Sequence, residues 1–130
     1  MTEHLSVLLG MHHPDYATDL GRIFERKGYD VTSASTIDEM LERMGIQEST
    51  SETYVSAFHV YVMDANLGNR GVNNLDPALQ IYRHIEKEMN EGKVKFLTIT
   101  ATDELIDKAQ RAGLTCVSKR NIFDYIRKNS

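Results

Sequence analysis

Three residues carry the chemistry this sequence offers, and each closes a short run of apolar and β-branched residues: Asp64 after Val60 to Met63, Thr100 after Val94 to Ile99, and Lys119 after Leu114 to Ser118. A carboxylate is a nucleophile toward an activated phosphoryl group, and a hydroxyl and an ammonium hold the oxygens on which transition-state charge sits. Taken singly, each has a plainer reading, the aspartate as a turn former and the threonine or lysine as a surface cap. Three of them at the ends of successive strands make a phosphoryl-accepting set.

The elements that must position this set follow from periodicity and punctuation. Strands are expected at Leu5 to Leu9, Tyr29 to Thr32, Phe58 to Met63, Val94 to Ile99 and Leu114 to Ser118. Helices fill the gaps. Pro14 suits the start of the first, whose Ala17, Leu20, Ile23 and Phe24 share a face up to Gly28. Thr36 and Glu39 have capping-box spacing ahead of Ile37, Met40, Leu41 and Met44, and Gly45 stops that stripe. Asp76 reads as an N-cap followed by Pro77 at the first helical position, with Ala78, Ile81, Tyr82, Ile85 and Met89 running on to Gly92. Leu105, Ile106, Ala109 and Ala112 make a fourth helix ending at Gly113, and Ile122, Phe123 and Ile126 a short fifth. Between Asp64 and Asn74 lies a long loop rich in Gly and Asn.

Strands and helices in strict alternation must run parallel through right-handed crossovers, giving a three-layer, doubly wound α/β domain with helices on both faces. Ligands in such sheets bind at the carboxyl ends of the strands. That places Gly10 to His13, Asp64 to Gly68, Thr100 to Asp103 and Lys119 to Asn121 around one crevice. We expect one domain over residues 1–130, with no output domain.

Composition narrows the function classes. The 130 residues carry 15 Lys+Arg against 19 Asp+Glu, a formal net charge of −4, which gives no global case for nucleic acid or an anionic membrane. The lone Cys116 fits a reducing compartment, with the cytoplasm expected. No apolar run approaches the roughly 18 residues of a membrane span, and Met1 to Glu3 lack the basic start of a signal peptide. His4, His12, His13, His59 and His84 have no evident nucleophile partner for hydrolysis. A small anionic ligand in the same crevice lacks a phosphate-cradling motif, since Gly10-Met-His-His is unlike GxGxxG.

The pieces Val60-Tyr-Val-Met-Asp64-Ala-Asn66-Leu67, Thr98-Ile-Thr100-Ala101, Ala112-Gly113 and Val117-Ser-Lys119 resemble the receiver domains of two-component response regulators, and the likeness covers nearly the whole chain. It implies a flavodoxin-like sheet of order 2-1-3-4-5. It also implies Asp64 as phosphoacceptor, Thr100 as the hydroxyl that follows the phosphoryl group, Lys119 as its partner, and Asn66 as a backbone-carbonyl ligand of Mg²⁺. The partner implied is a sensor histidine kinase or other signalling protein, docking on about Asp103 to Lys128, with no role for nucleic acid or membrane.

The departures concern the metal and the switch. Where receivers place the two adjacent acids that bind Mg²⁺, this chain has Met11 and His12, and one carboxylate with a carbonyl and waters makes a poor magnesium site. His12 and His13 with Asp64 suggest a transition-metal alternative, since imidazole suits such ions. Asp15 lies beyond Pro14 and suits the helix dipole instead. Gly68 and Arg120 stand at two positions usually held by proline, and Cys116 replaces the usual switch aromatic. Two functions follow: a stand-alone receiver in a phosphorelay with Asp64 accepting phosphate, or a pseudo-receiver acting as a phosphorylation-independent interaction module.

Overall fold

The computed structural model describes residues 5–46, 58–65, 67 and 75–128. In chain order the elements are β1 (Leu5–Gly10), α1 (Pro14–Arg26), β2 (Tyr29–Ala34), α2 (Ile37–Met44), β3 (Val60–Asp64), α3 (Asp76–Asn90), β4 (Lys95–Thr100), α4 (Asp103–Arg111), β5 (Thr115–Ser118) and α5 (Ile122–Lys128). All strand pairs are parallel and the sheet order is β2-β1-β3-β4-β5. This is the order the resemblance implies.

Side chains alternate across the sheet and build two apolar layers. Val7 and Leu9 of β1 face Leu20, Ile23 and Phe24 of α1 and Ile122 and Ile126 of α5. Leu8 points the other way, into a cluster with Met40 and Met44 of α2, Ile81 and Ile85 of α3, and Ala109 of α4. With both faces covered, all five residues of β3 are buried, which is why that run reads as continuously apolar. β2, at the sheet edge, is only partly buried.

Local chemistry sets the helix ends. Thr36 caps α2, its hydroxyl accepting from the Glu39 N–H at 3.0 Å, while the Glu39 carboxylate accepts from Ser35 Oγ at 2.8 Å. Gly45 closes the helix at φ +79°, a left-handed position that costs a side chain strain. α3 begins differently from the sequence expectation. Asp76 is its first residue and Leu75, with helical backbone, holds the cap position without a side-chain bond. Asp76 therefore serves the positive end of the helix dipole rather than capping it. Proline suits the first turn in either register, so the Asp-Pro pair alone did not fix the boundary.

Gly10 brings β1 against α2. A Cβ there would lie 2.3 Å from Met40 Sδ and 3.1 Å from Met63 Cβ, and Met40 is fully buried. The missing side chain lets Met40 fill the core directly beneath the turn that leads to Met11 and His12.

Candidate functional site at the carboxyl ends of the strands

Backbone pairing brings the three sequence-selected residues to one edge. Asp64 pairs with Ile99, one residue before Thr100, and Thr100 pairs with Ser118, one residue before Lys119. The Lys119 N–H donates to the Thr100 carbonyl at 2.9 Å and the Ala65 N–H to the Ile99 carbonyl at 2.8 Å. The ends of β3, β4 and β5 are thus tied together without help from side chains.

The side chains differ in what they do there. Asp64 is 6% exposed. Its Oδ2 accepts from the His12 backbone N–H at 3.0 Å, and its Oδ1 faces the Lys119 ammonium at 3.8 Å. That separation is a charge contact rather than a hydrogen bond. Among the described residues, Asp64 Oδ1 is the buried side-chain oxygen left without a hydrogen bond, so its charge is offset mainly by Lys119. Thr100, 4% exposed, turns its hydroxyl toward Thr102, accepting from that N–H at 3.2 Å.

Tyr16 joins this site, and the sequence had assigned it no role. Its hydroxyl donates to the Lys119 carbonyl at 3.0 Å. Its ring lies 5.7 Å from the Lys119 ammonium and packs edge-on against Phe123 at 5.4 Å. A cation over an aromatic face is attracted by the ring quadrupole, so Tyr16 holds both ends of Lys119. Burial first, and then the Asp64 charge, push the Tyr16 hydroxyl up to about 12. No sequence signal marked this contact, because Tyr16 and Lys119 lie 103 positions apart.

The residues around Asp64 do not fit the magnesium ion that receiver domains carry. Magnesium requires several hard oxygen donors in near-octahedral array. Met11, where the first acid would stand, is 2% exposed and packed among Leu9, Leu20 and Val62. Asp64 already receives an N–H on one oxygen and an ammonium against the other. Among the described residues no group of three or more His, Cys, Asp or Glu is placed to hold a metal. The transition-metal alternative is not assembled either. His12 meets Asp64 through its backbone, and its ring packs edge-on against His13 at 5.3 Å. Asn66, Gly68 and the rest of the long loop to Asn74, except Leu67, lie outside the described residues.

Cys116, at the place of the switch aromatic, is 7% exposed. Burial raises its thiol pKa, with a hydrogen bond involving Thr98 acting in the opposite direction. It serves as packing between β5 and α4, in the cluster that also holds Ala109 and Leu114.

Comparison with solved structures places this arrangement. A putative response regulator from Chloroflexus aurantiacus is similar with a TM-score of 0.69 and 16% identity, over 98% of this chain and 97% of that one. The fold is that of a response-regulator receiver domain. A chemotaxis protein from Vibrio cholerae gives 0.63 at 14% identity, covering 97% of this chain and 98% of its own. A response regulator from Burkholderia pseudomallei, crystallised with a phosphorylated aspartic acid, calcium and citrate, gives 0.61 at 22% identity over 88% of this chain. This chain spans 59% of the length of that protein. No family model and no curated protein matches the sequence. Within the receiver fold, Asp64, Thr100 and Lys119 stand at the ends of the third, fourth and fifth strands. No helix among the described residues is long and apolar enough to cross a membrane.

Proposed function

We propose that this chain is a receiver-type signalling domain that works as a protein-interaction module, its resting state set by the Lys119–Asp64 pair rather than by phosphate on Asp64. The observation that carries this reading is Met11. It is 2% exposed and part of the apolar layer under α1, at the position where metal-assisted phosphoryl transfer needs a carboxylate. A carboxylate attacking phosphorus must approach an anion, and a divalent ion normally offsets that repulsion. Among the described residues, the side-chain cation facing Asp64 is the Lys119 ammonium, whose side chain is a third exposed. Its contribution is weak beside that of a bound metal.

The partner is a sensor histidine kinase or another signalling protein, and the surface it meets is α4, β5 and α5. That surface is basic at Lys108, Arg120 and Lys128, while Arg111 pairs with Asp107 at 3.0 Å and Arg127 with Asp124 at 3.6 Å. Internal pairing lowers the charge on offer, so shape and apolar contacts supply much of the docking. We assign the domain to the cytoplasm on its lone cysteine and its fold.

A second reading, a phosphorelay receiver with Asp64 as acceptor, rests on the convergence of Asp64, Thr100 and Lys119 at one edge. Amide NMR spectra of the labelled protein separate the two. On adding Mg²⁺ and acetyl phosphate, the interaction-module reading expects unchanged resonances for Ala65, Thr100 and Lys119. Shifts at those amides that Asp64→Asn abolishes establish the phosphorelay reading instead.

A further inference from the structure

At the opposite end of the sheet from Asp64, α1, α5 and the first residues of β3 and β4 leave a groove of about 340 Å³. Its floor is Val60, Val62 and Leu97, with Phe24 and Ile126 as walls. Ile126 is the last buried residue of α5. Val60 and Asp64 lie four steps apart on β3, about 13 Å along the strand, so this is a different site from the crevice above.

The polar lining has one sign. Among the described residues that line it, Lys27 and Lys95 are the charged groups, Tyr29 and Tyr125 the phenols, and none is an acid, in a chain of net charge −4. The Lys27 ammonium donates a bond to the Ile126 carbonyl, which fixes it beside the groove, and an ammonium carries three N–H donors in all. Lys95 is exposed at the first position of β4. A volume of this size lies at the small end of small-molecule sites, and an apolar slot with a few convergent polar groups is their usual form.

We propose that this groove binds a single-chain anionic amphiphile: an unbranched hydrocarbon tail lies over Val60 and Leu97, and a carboxylate meets Lys27 and Lys95. The tail removes apolar surface from water on both sides. The head group selects the ligand, because a carboxylate forms charge-assisted bonds with the two ammonium groups. An uncharged head lacks those bonds, and a cationic head is repelled.

Calorimetric titration of the full chain with decanoate, kept below its micelle concentration, tests this, with decanol and decyltrimethylammonium as the neutral and cationic comparisons. Saturable one-to-one binding of decanoate is expected, with Lys95→Gln weakening it about tenfold, the size of one charge-assisted bond. Thr115 is exposed at the edge of the groove. Thr115→Trp therefore places an indole into the slot from the surface, and it should abolish binding while leaving the thermal midpoint unchanged. Asp64→Asn should bind decanoate as the parent does. The proposal is overturned if decanoate gives no saturable heat, if decanol binds equally well, or if Lys95→Gln and a folded Thr115→Trp both keep the parent affinity.

Discussion

Replacing Lys119 by methionine removes the charge that faces Asp64 and keeps most of the side-chain volume. Asp64 is then left 6% exposed with Oδ1 unbonded, a buried anion whose remaining partner is the His12 N–H. At the 3.8 Å separation observed, Coulomb's law with an effective dielectric near 20 gives 332/(20 × 3.8), about 4 kcal/mol. The Lys119 side chain is 34% exposed, so water screens the pair, and the expected loss of stability is about 1–2 kcal/mol. With a urea slope of roughly 1.5 kcal/mol/M, the unfolding midpoint should fall by about 1 M. Asp64→Asn in the same background removes the stranded charge and should recover most of that loss, which a double-mutant cycle measures as coupling. If Lys119→Met unfolds at the parent midpoint, or the second substitution recovers nothing, the ion pair does not hold this site and the reasoning fails.

Three further outcomes follow from the same structure. Gly10→Ala should cost about 1–3 kcal/mol by urea denaturation, the usual range for overpacking a filled core; full parent stability would mean that Met40 moves aside freely. The Tyr16 hydroxyl, pushed up to about 12 by burial and then by Asp64, keeps its proton in the folded chain after the unfolded chain has lost it near pH 10. Stability present below pH 10 should therefore fall between pH 10 and 12, less steeply in Tyr16→Phe, and equal slopes would contradict the placement of Tyr16. The pair Met11→Asp with His12→Asp should create a magnesium site where the parent has none, seen as calorimetric heat and a Mg²⁺-dependent rise in thermal midpoint. A parent that binds Mg²⁺ as tightly as this variant would sink the account of the missing acids.

Much of the frame was legible because local signals agreed with one another. Thr36, Glu39 and Gly45 bounded α2 as the capping pattern implied, and the apolar run ending at Asp64 became the central strand, buried on both faces. Strand order was not legible from alternation, which fixes parallel pairing but not which neighbours meet; it came from the resemblance. The start of α3 was misread because proline fits two positions in a first turn. At the site, sequence placed Asp64 and Lys119 at the ends of the third and fifth strands, on one edge of the sheet, but could not give the contact between them. The Tyr16 clasp on Lys119 joins α1 to the end of β5, and no periodicity records a contact over that distance. Met11 read as a missing acid; only its place in the apolar layer gives the physical consequence, that the site edge belongs to the core.

The central claim is that phosphate does not set the state of this domain, and intact-mass measurement after incubation with acetyl phosphate, with and without Mg²⁺, tests it most directly. The account predicts the unmodified mass in both conditions. A single phosphoryl addition that requires Mg²⁺ and disappears in Asp64→Asn would contradict it.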